Sequence, residues 1–260
     1  MRDVLKQGEK RATDLPLVLL HGLGVDHRMW DPVQHDLQEA GPVWSPDLPG
    51  FGVAPPLPLR QRTVAGYAEW LLGELDRRFA GPVCLAGYSM GGTLALQTAL
   101  SRPGKVAALA LCCTSACWGA GIRRWAGLAF ARIGGMLAME VFECSVRWSI
   151  ARHMDAPGAR EIARDMTARA HRQTVQALYV DLVKIDLRER LGELEVPTVV
   201  VAGTRDWLAP PAHARALARG VPQAEIRWFR GAGHLLCASH PERFARELRA
   251  FWSGVRGAEP

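Results

Sequence analysis

Gly87-Tyr88-Ser89-Met90-Gly91-Gly92 follows the apolar run at residues 82–87 (PVCLAG) and opens a helix-like segment over 90–101. A chain that passes from strand to helix within about one residue must turn sharply at the tip. Side chains two positions before and after that tip would collide, and glycine stands at both places, Gly87 and Gly91. Ser89 is therefore expected in a strained backbone conformation, with its hydroxyl at the carboxyl edge of a sheet, where open α/β sheets bind ligands. The Met90 N–H, at the start of the following helix, is the expected donor to an oxyanion.

Outward from this turn the same alternation continues. Short apolar runs at 17–20, 43–44, 106–112 and 197–202 (PTVVVA) read as further strands, and residues 225–229 complete the set. Between them, residues 63–79 place Val64, Tyr67, Ala68, Leu71, Leu72, Leu75 and Phe79 on one helical stripe, with Thr63 as N-cap. Segments 90–101, 211–219 and 241–252 read as helices too, the last two opening with proline. Strand and helix in alternation predict an α/β fold, a mostly parallel sheet with helices on both faces. Residues 115–185 break the rhythm: ten Lys/Arg against six Asp/Glu, the tryptophans Trp118, Trp125 and Trp148, and no convincing strand. They are expected to form a helical cap inserted into a core made of residues 1–114 and 186–260.

A serine hydroxyl is a poor nucleophile at neutral pH and needs a base. His234, in the small-residue loop Gly231-Ala232-Gly233 after the last strand, can reach the same sheet edge. Asp206, in the turn after the 197–202 strand, is the expected orienting carboxylate. Asp181 and Asp186 are the competitors, but both precede that strand. The order Ser, Asp, His is one of three known for such constellations. His21-Gly22-Leu23-Gly24 follows the first strand, and the Leu23 N–H is the expected second oxyanion donor. His21 itself reads as a loop brace, Asp47 as a tie for the turn 47–52 (DLPGFG), and His240 as structural or exposed.

Composition excludes several classes. The 260-residue chain is 48% hydrophobic and 22% charged, an ordinary globular balance. Net charge is +6, but basic and acidic residues are interleaved, so no nucleic-acid partner is expected. No apolar run approaches the ~20 residues of a membrane span, and residues 1–14 show no secretory leader. The six cysteines form no pair of CxxC motifs, so no metal is expected; reduced core thiols and the lack of a leader suggest the cytoplasm.

Together, HGLG at 21–24, DLPGFG at 47–52, GYSMGG at 87–92 and the Asp206/His234 pair resemble the α/β-hydrolase superfamily over nearly the whole chain. The resemblance implies a sheet of about eight strands, a helical cap and no cofactor. Within the superfamily the chain is similar to small intracellular serine esterases such as the pimeloyl-acyl-carrier-protein methyl ester esterases. That implies hydrolysis of a carboxylic ester through an acyl-enzyme on Ser89, with an acyl carrier protein or a coenzyme A thioester as a candidate partner for the basic cap. A solvated helix face is the plainer reading of the same arginines. Thioesterase, lactonase and cofactor-free lyase or synthase chemistry stay open, as does a non-catalytic binding protein. Serine rather than aspartate at 89 argues against a dehalogenase or epoxide hydrolase. Trp118, Trp125, Trp148, Met136, Met139 and Met154 are expected either to line an acyl pocket or simply to pack.

Overall fold

A computed structural model describes residues 15–119, 144 and 159–257. Its sheet has six strands: β1 (Leu17–Leu20), β2 (Val43–Trp44), β3 (Val83–Tyr88), β4 (Val106–Cys112), β5 (Thr198–Gly203) and β6 (Ala224–Phe229). They lie in the order β2-β1-β3-β4-β5-β6, and every pairing is parallel. The resemblance implied about eight strands; the described residues form six, and residues 1–14 lie outside them.

Parallel neighbours need crossovers, and helices supply them. Helices α1 (Asp31–Gln38), α2 (Val64–Arg78) and α3 (Met90–Ser101) belong to the first half, α6 (Pro211–Gly220) and α8 (Pro241–Gly257) to the second. Thr63 caps α2 as expected, its hydroxyl accepting the Gly66 N–H at 3.1 Å. Two helices, α4 (Ala159–Ala168) and α5 (Arg172–Lys184), fall between β4 and β5, as does the short α7 (Leu236–Ser239) between β6 and α8.

Strand residues alternate between two cores. Val18, Leu20, Val83, Leu85, Leu109, Leu111 and Val200 point to one, with α2, α3 and α6. Leu17, Leu19, Cys84, Ala86, Ala108, Ala110 and Cys112 point to the other, with α1 and α8. On this second face the central strands carry small side chains except for Tyr88, and the bulk comes from that ring with Trp30, Phe244 and Trp252, all fully buried. On the first face the strands are bulky, and α3 sets Gly91, Gly92, Ala95 and Ala99 among the larger Met90, Leu94, Leu96 and Leu100.

Of segment 115–185, residues 120–143 and 145–158 lie outside the described residues, and with them Trp125, Trp148, Met136, Met139 and Met154. Its ends meet: Cys117 bridges Asp186, and the Leu187 N–H donates to the Ala116 carbonyl at 2.9 Å. Helices α4 and α5 are fastened to the core. Arg28, held by Asp26, also bonds Asp165 of α4 at 2.7 Å. The His171 N–H donates to Gly50, and Asp181 of α5 accepts the Val64 N–H at 2.7 Å, supplementing the Thr63 cap. Asp181 is thus a helix cap for α2, and Asp186 pairs with Arg188.

Candidate active site

Strand register assembles the site. Leu20 pairs with Gly87, Tyr88 with Cys112, and Gly203 with Phe229, so the loops carrying residues 21–24, 89, 113–114, 204–209 and 230–234 all leave one edge. Ser89 turns the chain at φ 53°, ψ −116°, a left-handed backbone rarely adopted by a side chain other than glycine. The strain is held by neighbours. The Ser89 N–H donates to the Cys112 carbonyl at 2.9 Å, and its carbonyl accepts the Thr114 hydroxyl at 2.6 Å and the Gly92 N–H at 3.0 Å. A side chain at Gly87 would overlap the Gly91 carbonyl, and one at Gly91 would overlap the Leu20 carbonyl, so both glycines are required by space.

His234 and Asp206 meet. The imidazole Nδ1 lies 2.8 Å from Asp206 Oδ2; the Asp206 side chain is fully buried and that of His234 nearly so. The other carboxylate oxygen accepts the N–H groups of Leu208 and Ala209, each at 2.9 Å. A buried carboxylate is tolerable because all these donors face it. Since Oδ2 can only accept, Nδ1 carries the proton, which leaves Nε2 as the basic nitrogen. The two loops are also joined by backbone: Arg205 N–H to Ala232 carbonyl at 2.9 Å, and Gly231 N–H to the Thr204 hydroxyl at 2.8 Å.

Both expected oxyanion donors belong to segments next to Ser89. Met90 is the first residue of α3. Leu23 follows Gly22, where a Cβ would lie 3.6 Å from that of Ser89. His21 braces this loop from within. It is fully buried, donates from Nδ1 to the Gly22 carbonyl at 2.8 Å and accepts the Leu48 N–H on Nε2 at 3.0 Å. Burial lowers its pKa below the usual histidine range, outweighing the Gly22 bond and Asp47 and Asp26, and keeps it neutral. Asp47 ties its turn as expected, accepting the Val53 N–H at 2.9 Å. It also binds the N–H and Nδ1 of His27, at 3.0 and 2.6 Å, a partner the sequence did not suggest. Half-buried His240 pairs with the Ser239 hydroxyl at 2.8 Å and abuts Phe229.

Two clusters near this edge have the residue types of metal sites: Cys113, Asp206 and His234, and Asp26, His27 and Asp47. Neither donor set suits a cation. Both Asp206 oxygens are engaged as described, and burial, with Asp206 beside it, pushes the Cys113 thiol well above its ordinary pKa. Both Asp26 oxygens are taken by Arg28.

A family model described as the alpha/beta hydrolase family matches residues 17–247. The chain is 30% identical over 248 residues to a pimeloyl-[acyl-carrier protein] methyl ester esterase of Aeromonas hydrophila, covering 90% of this chain and 94% of that one. To the protein of the same name from Neisseria meningitidis it is 30% identical over 251 residues, with 91% and 92% covered. A thermophilic esterase from Thermogutta terrifontis superposes with a TM-score of 0.80 at 28% identity, covering 93% of this chain and 90% of that one. An enol-lactonase from Burkholderia xenovorans shares the fold, with a TM-score of 0.81 at 24% identity and 95% and 94% covered.

Proposed function

The chain belongs to the alpha/beta hydrolase family, and on that premise we propose that it is a serine carboxylic-ester hydrolase working through Ser89, His234 and Asp206. The observation that carries the reading is the conjunction of a serine in forced left-handed backbone with a buried carboxylate–imidazole pair on the same sheet edge. In this mechanism Ser89 Oγ attacks the ester carbonyl while His234 Nε2 takes its proton. Asp206 holds the imidazole by Nδ1 and stabilises the imidazolium. The Leu23 and Met90 N–H groups receive the oxyanion; one such donor is worth ~10²–10³ in rate. The alcohol leaves with the proton from His234, and water, activated by the same imidazole, releases the acid and restores Ser89.

The relatives' names support a methyl ester on a carrier-linked acyl chain as substrate. Segment 115–185 serves in this reading as the cap, and its excess of basic residues suits an acidic carrier. The five buried, unbridged cysteines, Cys84, Cys112, Cys113, Cys117 and Cys237, agree with a reducing compartment such as the cytoplasm.

Steady-state hydrolysis tests both levels. Short p-nitrophenyl esters should be turned over by the wild type and not by Ser89→Ala. For a carrier-linked methyl ester, kcat/KM should fall several-fold as salt rises from low to high, while that for the p-nitrophenyl ester stays flat. Turnover retained in Ser89→Ala would end the mechanism; equal indifference to salt would end the carrier assignment.

A further inference from the structure

Tyr88 is the last residue of β3 and stands directly before Ser89. Its ring fills a fully buried slot, edge-on to Trp30 at 5.9 Å and to the His234 imidazole at 5.8 Å between centroids, and beside Phe244 at 6.1 Å. A phenylalanine would fill that slot equally well. The hydroxyl does something packing does not require. It accepts the Leu236 N–H at 2.7 Å and donates to the His234 carbonyl, reaching 146 residues along the chain. One oxygen thus satisfies two backbone groups on either side of Leu235. Burial holds the phenol well above its ordinary pKa, so it stays a donor.

Two backbone ties of this loop lie earlier. Ala232 and Gly231 are bonded to Arg205 and Thr204, which fixes the loop's first half to the segment carrying Asp206. The second half is fastened by Tyr88 to the end of the strand that leads into Ser89. His234 lies at the junction of these two fastenings.

We propose that Tyr88 is a positioning residue, whose hydroxyl sets where the His234 imidazole stands relative to Ser89. This rests on the reading of Ser89 and His234 as nucleophile and base. Misplacing a reacting group by about 1 Å can cost ~10²-fold, so loss of the hydroxyl acts on turnover rather than on substrate binding. Leaving the Leu236 N–H and the His234 carbonyl unpaired also destabilises the fold, and the test must separate the two effects.

Tyr88→Phe is compared with Thr98→Val, which removes another fully buried hydroxyl, bonded to Leu94 within α3 and away from the site edge. Tyr88→Phe should lower kcat ~10–100-fold with KM within about twofold, and slow fluorophosphonate labelling by the same factor. Thr98→Val should lower stability alone. In a double-mutant cycle, Tyr88→Phe should have no further effect on labelling once His234 is alanine. In proton NMR, the low-field His234 Nδ1–H signal, identified by its loss in His234→Gln, should shift or broaden in Tyr88→Phe. Unchanged kcat, labelling and NMR signal in a destabilised Tyr88→Phe would overturn the proposal, as would an equal drop in labelling with and without His234. The NMR signal needs no turnover. A wild type inert toward every ester, whose signal still moves in Tyr88→Phe, would overturn the hydrolase reading and support the positioning role.

Discussion

Two carboxylate–histidine pairs sit on the same edge of the same sheet. Asp206 and His234 meet at 2.8 Å after β5 and β6; Asp47 and His27 meet at 2.6 Å after β2 and β1. By distance alone they are equivalent. Their surroundings differ. Asp47 also accepts the main-chain N–H of His27, so the imidazole folds back on the carboxylate that holds its own backbone, and 39% of its side chain is exposed. His234 shares no such bond. Its backbone is held by Tyr88, its side chain is 9% exposed, and the strained Ser89 adjoins the tyrosine that holds it. In the function we propose, the first of these pairs is the acid–base device and the second a brace, and what distinguishes them is what fastens the histidine main chain and how far its ring is exposed.

The contrast can be broken by substitution. The largest effect belongs to the tip: Ser89→Ala should reduce kcat/KM for p-nitrophenyl esters by at least ~10⁴-fold, with the thermal midpoint little changed. Next, Asp206→Asn should cost about 10⁴-fold in kcat by presenting the imidazole in the wrong tautomer, whereas Asp47→Asn should cost less than about tenfold. Comparable losses in the two variants would erase the distinction. Asp47→Asn should act on stability instead, by about 1–3 kcal/mol in urea unfolding, since it weakens a buried acceptor for three donors.

The smallest effects are those of pH. Burial alone would raise the Asp47 pKa, but the Val53 and His27 N–H groups and the His27 imidazole outweigh it and hold the carboxyl below its usual range. Its contribution to stability is present above about pH 4 and is lost as pH falls further. His21 behaves differently. Burial depresses its pKa, so below about pH 6.5 the unfolded chain takes up a proton that the folded chain resists. Stability should fall as pH drops below about 6.5, with a contribution from this site of up to about 1.4 kcal/mol per pH unit. His21→Gln should be less stable at pH 8 yet lack that slope; an unaltered slope would assign it to other groups.

Local patterns were readable from sequence where the signal is short-range. All six strands were legible to within a residue or so: β1, β3, β4 and β5 because parallel strands buried on both faces are nearly unbroken apolar runs, and the edge strand β6 because Glu225 and Arg227 alternate with Ile226 and Trp228. The turn at Ser89 was legible because two glycines and a flanking strand specify it. That Asp206 and His234 meet was legible because each follows a strand. Helix α1 was not, since it buries only Val33 and Leu37 and is otherwise polar. Neither was the hydroxyl of Tyr88, whose partners lie 146 and 148 residues away, nor the link from Asp47 to His27, nor Asp181 bonding the first turn of a helix 117 residues earlier. These are tertiary contacts, and nothing in a local window encodes them.

The central claim is that Ser89 is activated by the one histidine paired with Asp206. Mass spectrometry of protein treated with a fluorophosphonate, which loses fluoride on phosphonylating a reactive serine, tests it directly. The account predicts a single adduct on Ser89, formed at an unchanged rate in His27→Ala and at least ~10³-fold more slowly in His234→Ala. An adduct elsewhere, or equal rates in the two histidine variants, would contradict it.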